Sequence, residues 1–355
     1  MCKRYDSGGA TVTPGSLRLP KTVVPHRYDL KLHPNLDAAR FTGTVTIDIE
    51  VTEPVNEIVL HATELLIKRA VVEDETGTSF RGTVSNGAGQ LLDGSIKLAD
   101  LKDDDELAVI KLTGTIGSGR WRLTLDFNGI LNDKLHGFYR STYKRDGFHK
   151  HNIAATQLCP NDARRAFPCF DEPDMKAVFS IALIVDERFT AVSNARVLSE
   201  TLVPDSRQVI EENWTDNDGQ LQYACDEIIG TGKKEIVFAP TIRMSTYLVC
   251  FVVGEFERTA VQNVDGTEVS IYYVPGKGHL TSLAMEVAAH SLRFYRDYFG
   301  IDYAQFGGKL DLIAVPDFPF GAMENFGCVT FRETTLLVDE ATATVAEKNR
   351  VAEVV

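Results

Sequence analysis

The sequence predicts a mainly β N-terminal domain built from large antiparallel sheets, followed by the first part of an α+β domain. Residues 44–51 alternate apolar and polar side chains with a period of two, which is typical of a strand with one buried face. After residue 280 the apolar spacing changes to the three and four residues of a helix. Further alternating or apolar runs favour strands at 28–32, 121–127, 178–185 and 247–256.

Composition places the chain among ordinary globular proteins and excludes some partners. The 355 residues are 44% hydrophobic and 25% charged, enough for two or three domains with sizeable cores. A net charge of −13 argues against nucleic acid and anionic membranes as partners. No membrane span and no signal peptide are recognised. Six cysteines without a C-x-x-C pair fit a reducing compartment, so we predict a cytoplasmic protein.

The chain divides into three predicted segments. Residues 1–16 carry Ser, Gly, Thr and Pro without periodicity and are predicted to be a flexible leader. Residues 17–255 are predicted to form the β domain, and 256–355 the start of the second domain. In the second domain we expect strands at 269–274, 309–315 and 328–338.

Two helices are predicted in the second domain. The first begins at Thr281 or Ser282 and ends at Gly300, and its apolar side carries Leu283, Val287, Phe294 and Tyr298. The second starts near Glu340, with Val345, Ala352 and Val355 on one face. No Gly, Pro or basic turn ends it, which we interpret as the sign of a fragment of a longer protein.

The candidate binding site is the stretch VPDFPFGAMENFG at 315–327. Gly321 has no Cβ, so another backbone can come close there. If residues 322–325 are extended, their free backbone groups can hydrogen-bond an extended peptide, and Glu324 supplies a negative charge at the end. Such an edge can hold a peptide by its charged amino end. The alternative is a proline-bounded turn with a solvated Glu324.

No metal site is predicted in these residues. Hydrolysis of peptides by zinc needs three protein ligands and an open position, usually built on H-E-x-x-H. No two of the eight histidines are four residues apart. His149 and His151 could share a strand face, and His290 lies in the first predicted helix, but neither position indicates a ligand.

The five residues Gly321, Ala322, Met323, Glu324 and Asn325 match the GAMEN signature of the gluzincin-type zinc aminopeptidases, the family of the puromycin-sensitive and alanyl aminopeptidases. The resemblance covers nearly the whole chain from residue 17, with TQLCPNDARRAFPCFDEP at 156–173, MSTYL at 244–248 and FVVGEFE at 251–257. It implies that the main chain of GAMEN holds the substrate and that its Glu binds the free α-amine. It also assigns Gln157 to the wall of the pocket for the first substrate side chain.

The same resemblance implies a saddle-like β domain and a thermolysin-like catalytic domain cut before its zinc-binding helix. KNRVAEVV at 348–355 is similar to the lead-in to that helix. Zinc is therefore expected for the full-length parent and not for this chain. The expected substrates are peptides with a free N-terminus.

One position departs from the family pattern. Relatives carry a second Glu for the substrate amine where this chain has Cys159. A neutral thiol is a weak acceptor, so losing one charge-assisted hydrogen bond would cost about 1.5–3 kcal/mol. The alternative for Cys159 is a small, partly buried apolar residue without chemistry. Nearby, Asp162, Arg164, Arg165, Asp171 and Glu172 are predicted to form ion pairs that pin a loop.

The sequence is compatible with two functions. The first is the N-terminal portion of a zinc aminopeptidase, inactive as given. The second is a non-catalytic paralogue, or short product, that binds peptides or proteins through the β domain. The sequence downstream of Val355 would discriminate them.

Overall fold

The computed structural model describes residues 18–92, 106–145, 147–204 and 232–355, and the backbone of four short strands between 206 and 229. The predicted leader at 1–16 lies outside this part of the chain.

The first part of the chain is made of strands. In chain order they are β1 Val23–Asn35, β2 Arg40–Val51, β3 Val55–His61, β4 Leu65–Glu73, β5 Ser79–Asn86, β6 Leu107–Ile116, β7 Gly119–Ile130, β8 Gly137–Arg145, β9 His149–Gln157, β10 Val178–Asp186, β11 Thr190–Ser193, β12 Val197–Leu202, β13 Ser206–Gln208, β14 Asn213–Thr215, β15 Leu221–Tyr223, β16 Glu227–Ile229, β17 Lys233–Phe238 and β18 Phe251–Gly254.

These strands form two large sheets and two small ones. Ten strands pair in the order β12-β17-β10-β1-β2-β7-β4-β5-β6-β3, and four in the order β11-β18-β9-β8. Strands β13 and β16 pair with each other, as do β14 and β15. In the ten-stranded sheet β1 and β10 run parallel, whereas the other described neighbours run antiparallel. The predicted mainly β domain with large, mostly antiparallel sheets is confirmed.

The apolar residues that recur at every second position form the core of the ten-stranded sheet. Val45 of β2 lies opposite Leu125 of β7, and Ile47 lies opposite Leu123. All four side chains are fully buried. Burying such a side chain contributes about 1.5–3 kcal/mol, so the alternation fixes which face of the sheet turns inward.

A third sheet and two helices follow. The strands are β19 Glu257–Arg258, β20 Gln262–Val264, β21 Thr267–Tyr273, β22 Lys309–Val315, β23 Ala322–Met323 and β24 Cys328–Arg332, and the helices are α1 Ser282–Phe299 and α2 Val345–Val354. The sheet order is β19-β21-β22-β24-β23, with β20 pairing β21. Strands β21, β22 and β24 run parallel. The catalytic-domain start predicted as α+β therefore has the expected mixed composition.

Strand β22 is buried on both faces, as its apolar run predicts. Leu310 and Leu312 pack in the core that contains the two helices. Ile313 and Val315 pack in the core of the N-terminal sheets. The third sheet therefore shares a core with the strands before it. The division at 255/256 itself stays a prediction.

The predicted apolar side of the first helix is only partly correct, since Leu283 packs against the core but Phe294 and Tyr298 do not. Helix α1 ends at Gly300 as predicted, with φ of 66°. Its buried residues, however, are Ala284, Ala288 and Ala289, whereas Phe294 is 52% and Tyr298 71% exposed. Small side chains let the helix axis approach the sheet closely. The stripe of alanines therefore faces inward, with Leu283, Met285 and Leu292 packed partly buried beside it.

Three further element predictions need correction. The last helix begins at Val345, not near Glu340, because Thr344 caps it in a capping box with Glu347. Its buried residue is Val351, whereas Val345 is 75% exposed. The strand predicted at 328–338 ends at Arg332 and passes into a 3₁₀ turn, Glu333–Thr335. The strand predicted at 247–256 is confined to β18, since Thr246–Leu248 is also a 3₁₀ turn.

Candidate functional site

Residues 321–325, called the ledge here, lie at the edge of the third sheet. Strand β23 pairs with β24 on one side and with no other described strand. The N–H of Arg332 donates to the carbonyl of Gly321 over 2.9 Å. The next opposed pair, Ala322 with Phe331, is then of the non-hydrogen-bonded kind. The N–H and C=O of Ala322 consequently point to the open side of the sheet.

Side chains of the ledge alternate as predicted for extended backbone. Met323 and Asn325 are buried, while Glu324 between them is exposed. The carbonyl of Asn325 accepts from the N–H of Cys328 over 3.1 Å, and its amide approaches Thr330 Oγ1 at 3.4 Å. The inward residues thus fix the ledge, and the outward residue is a carboxylate.

Of the two glycines Gly321 and Gly327, only Gly327 is approached so closely by backbone atoms of another segment that a Cβ would not fit. A Cβ at Gly321 would meet side chains of α2, Arg350 at 3.2 Å and Val354 at 3.4 Å. The close approach of another backbone to Gly321 stays a prediction. A Cβ at Gly327 would fall 2.1 Å from the main-chain oxygen of Asn194.

Asn194 joins the ledge to the N-terminal sheets, and the sequence analysis missed it. Its Nδ2 donates to the carbonyls of Phe326 at 2.9 Å and Leu248 at 2.8 Å. Its Oδ1 accepts from the N–H of Cys250 at 2.8 Å. All three hydrogen bonds join Asn194 to residues distant along the chain. The residues next to Asn194 in sequence therefore do not indicate that it connects the two parts of the structure.

A second connection holds the chain just before the ledge. The hydroxyl of Tyr139 donates to the carbonyl of Asp317 over 2.8 Å, and the N–H of Asp317 donates to Ser141 Oγ over 3.1 Å. Burial, with the nearby charge of Asp317, raises the pKa of Tyr139 well above its usual range. The phenol therefore stays protonated and remains a donor.

Gln157 is the last residue of strand β9, and Cys159 follows two positions later. Burial, followed by the negative charges of Glu324 and Asp162, raises the pKa of the half-buried Cys159 thiol. The charge of Glu324 thus acts on the Cys159 thiol, although 165 positions of sequence separate the two residues. The thiol is therefore neutral near pH 7 and adds no negative charge beside Glu324.

Gln157 carries a buried acceptor without a donor. The residue is 2% exposed, and its Nε2 donates to the carbonyl of Cys159 over 3.3 Å. Its Oε1 accepts no hydrogen bond from the described residues. An unpaired buried acceptor costs about 1–3 kcal/mol, so a ligand N–H arriving here would remove a penalty.

The predicted ion-pair cluster is present, with one change of partner. Arg164 binds Asp171 at 2.9 Å, and Arg165 binds Asp162 at 2.9 Å. Glu172 instead accepts from Arg18 at 3.3 Å. The arginines reach further acidic partners that are distant in sequence, Glu106 at 2.9 Å and Glu64 at 2.7 Å.

His61 completes this cluster as a neutral acceptor. The N–H of Asp171 donates to His61 Nδ1 over 3.2 Å. Burial, followed by the positive charge of Arg164, lowers the pKa of His61 to about 3. A neutral ring can accept the hydrogen bond, whereas a protonated ring cannot.

The described residues do not supply the zinc ligands that the family resemblance calls for. No group of three or more His, Cys, Asp or Glu side chains in this part of the chain is placed to hold a metal ion. His149 and His151 lie on β9, and His151 stacks on Tyr143 at 5.2 Å. No step of a reaction is assigned to a metal on these residues.

A groove of about 750 Å³ lies away from the ledge. Its walls are the 259–262 segment and the first half of α1, which include Thr259, Val261, Met285, Glu286, His290 and Arg293. None of the predicted site residues lines it. The groove is at the opposite edge of the third sheet from β23, because β19 and β20 are at that end.

No described helix is both long and apolar enough to cross a bilayer.

Two family models match the chain. The one described as the Peptidase M1 N-terminal domain matches residues 24–216, and the one described as the Peptidase family M1 domain matches residues 283–355. The first match by itself covers more than half of the chain, and the second includes the ledge.

Curated relatives agree with these matches. The chain is 39% identical over 343 residues to Aminopeptidase M1-A of Oryza sativa, covering 96% of this chain and 34% of that protein. It is 36% identical over 340 residues to the puromycin-sensitive aminopeptidase of Caenorhabditis elegans, covering 95% of this chain and 31% of that protein. The chain thus spans about a third of the length of these relatives. The ledge, the strands that carry it and these matches lead to one conclusion: the chain belongs to the M1 family of peptidases.

Proposed function

We propose that this chain is the amino-terminal portion of a cytoplasmic zinc metallo-aminopeptidase that removes N-terminal amino acids from peptides. Family membership supports the reaction class, since the relatives are named as aminopeptidases. Their greater length supports the idea that the whole enzyme contains parts beyond these residues. Substrates are peptides with a free amino terminus.

The ledge binds the substrate main chain in this proposal. The observation that carries it is the open edge of β23, where Ala322 presents one N–H and one C=O outward. An extended peptide laid antiparallel or parallel to β23 satisfies both groups. Gly321, Met323 and Asn325 hold this edge in place through backbone pairing and burial.

Glu324 binds the α-ammonium group of the substrate. Its carboxylate is exposed at the end of the ledge and makes no hydrogen bond or ion pair with the described residues, so a cationic ligand can take it without displacing a partner. Holding the first amine fixes which peptide carbonyl is presented for cleavage, and this positioning restricts the product to single residues. Gln157 lines the pocket for the first substrate side chain in this proposal, and its Oε1 has no partner among the described residues.

Catalysis is not expected of the isolated chain. The described residues contain no set of metal ligands, so zinc in the whole enzyme would be held by other parts of the protein. We expect no stoichiometric zinc by elemental analysis and no hydrolysis of aminoacyl-anilides by these 355 residues. Activity that a chelator abolishes would contradict this part of the proposal.

The test of the amine site uses the full-length enzyme. Glu324→Gln removes the charge and keeps the shape, and should raise KM for aminoacyl-anilides about tenfold to a hundredfold. Glu324→Asp, which keeps the charge on a shorter stem, is the matched control and should lose less. An unchanged KM in Glu324→Gln would overturn the assignment.

A second candidate is a non-catalytic paralogue or short product that binds peptides or proteins. Two points favour it: the family resemblance implies a Glu where this chain has Cys159, and the described residues contain no group placed to hold a metal ion. A genuine stop codon after Val355 in the transcript, with binding of a dipeptide amide to the purified chain, would favour this alternative. An open reading frame with H-E-x-x-H and a later Glu favours the enzyme.

A further inference from the structure

Two buried thiols meet where the N-terminal sheets contact the third sheet. Cys250 Sγ lies 3.2 Å from Cys328 Sγ, and the residues are 78 positions apart in the chain. Both are fully buried. Cys250 directly precedes β18, and Cys328 is the first residue of β24. The contact therefore joins two different sheets.

The backbone on both sides of this contact is fixed. The N–H of Cys250 donates to Asn194 Oδ1 over 2.8 Å, and the N–H of Cys328 donates to the carbonyl of Asn325 over 3.1 Å. A disulfide has an S–S distance of about 2.05 Å. The two sulfur atoms consequently need to approach by only about 1 Å to reach bonding distance.

We propose that Cys250 and Cys328 form a reversible intramolecular disulfide that links the four-stranded sheet to the third sheet. The step breaks both S–H bonds and forms one S–S bond. Two electrons and two protons pass to hydrogen peroxide, which is reduced to two molecules of water. A thiol reductant reverses it by exchange.

Burial controls the rate of this step. Burial raises the pKa of the Cys328 thiol well above its usual range, so the reactive thiolate is scarce while the junction is closed. The oxidant reaches the sulfur atoms when the junction opens locally. Oxidation is therefore slow, and the product closes a long loop and opposes further opening.

The cross-link can be detected in the 355-residue chain itself. The reduced protein is treated with hydrogen peroxide at neutral pH, remaining thiols are alkylated in denaturant, and tryptic peptides are analysed by mass spectrometry. Cys250 lies in the peptide 244–258 and Cys328 in 310–332, each with a single cysteine. We expect these two peptides linked as the dominant disulfide and separated again by dithiothreitol.

Thermal unfolding gives an independent readout on the unsubstituted protein. The oxidised chain should unfold about 3–10 °C higher than the reduced chain, and dithiothreitol should cancel the difference. Cys250→Ala and Cys328→Ala should each abolish both effects. Cys169→Ala is the matched control, since Cys169 is also fully buried and makes no contact with another cysteine among the described residues.

Two results would overturn the proposal. One is oxidation that modifies Cys159 and leaves 250 and 328 as free thiols after prolonged exposure. The other is a mixture of cysteine pairings in which the 250–328 link is no more abundant than the rest. Neither result depends on peptidase activity, so the outcome is separate from the test of Glu324.

Discussion

The main-chain oxygen of Asn194 occupies the position where a side chain at residue 327 would begin. An ideal Cβ on Gly327 falls 2.1 Å from that oxygen, far inside van der Waals contact. The same glycine has φ of 70°, in the left-handed region. The chain directly after the ledge therefore adopts its path only with glycine, and the N-terminal sheets impose that path.

Gly327→Ala should lower the free energy of unfolding by about 3 kcal/mol or more, because a backbone atom has to move and the left-handed conformation is strained. Urea unfolding followed by fluorescence measures the loss. Gly300→Ala is the control: φ is 66°, and a Cβ there meets nothing within 4 Å. It should cost about 1 kcal/mol. Equal losses in the two variants would contradict the role of the Asn194 contact.

The proximity of Cys159 and Glu324 can be tested on this chain by alkylation. The negative charge of Glu324 helps to raise the pKa of the thiol, so Glu324→Gln should lower that pKa and increase the thiolate fraction. Iodoacetamide at pH 8 should then modify Cys159 roughly two- to fivefold faster. Mass spectrometry of the peptide 151–164 reports this cysteine alone. Glu324→Asp keeps the charge and should alkylate more slowly than the Gln variant; identical rates in all three proteins would refute the influence of Glu324 on this thiol.

In the whole enzyme, Cys159→Glu should lower KM for peptides with a free amino terminus by about tenfold to a hundredfold. The reason is that a second carboxylate adds a charge-assisted hydrogen bond to the substrate ammonium. Cys159→Ser, a neutral replacement of similar size, is the control and should leave KM nearly unchanged. A KM that stays the same or rises in the Glu variant would show that residue 159 does not contact the amine.

The buried ion pair of Arg164 should matter far more than an exposed one. Its side chain is 7% exposed and binds Asp171, whose side chain is 2% exposed. Arg164→Met leaves a buried carboxylate without its partner and should cost about 3–5 kcal/mol. Arg69→Met is the control, because Arg69 is 59% exposed and pairs with Asp126 at the surface. That variant should cost less than about 1 kcal/mol in urea unfolding.

His61 should make the fold sensitive to mild acid. Its pKa in the folded chain is lowered to about 3, so the folded state keeps the ring neutral while the unfolded state gains a proton below its ordinary pKa of about 6.5. The stability from this group is complete above pH 6.5 and is lost as pH falls toward 3. Between pH 6.5 and 4.5 the loss should be about 2–3 kcal/mol. His61→Asn, which keeps an acceptor but cannot titrate here, should flatten the pH dependence of the urea midpoint; an unchanged dependence would contradict the assignment.

Strands were predictable from sequence because burial of alternate residues is a local pattern. Strand β2 shows the alternation of buried and less buried side chains within its twelve residues. Strand β22 shows the apolar run of a strand covered on both faces. Helix α1 was misjudged on its inward face for a physical reason. Large apolar side chains give the stronger signal, but the small Ala284 and Ala288 are the ones that allow close packing.

The candidate site was only partly predictable. The extended ledge with an outward Glu324 follows from local residues, whereas the approach of Cys159 depends on how two sheets meet. Asn194 and Tyr139 hold the ledge through bonds to carbonyls far along the chain. Nothing within a few residues of either distinguishes them from ordinary polar residues at strand ends. The family resemblance indicated which distant positions belong to the site, and the hydrophobic pattern of the sequence does not carry that information.

The parallel pairing of β1 with β10 sets an order for biosynthesis. Arg27 on β1 donates to Ser180 Oγ on β10, 153 positions later. While the ribosome has not yet delivered residue 186, one edge of β1 has no neighbour and is open to pairing with other chains. The nascent domain therefore spends an extended period with an unprotected strand, and chaperone binding at β1 during translation would shorten its exposure to aggregation.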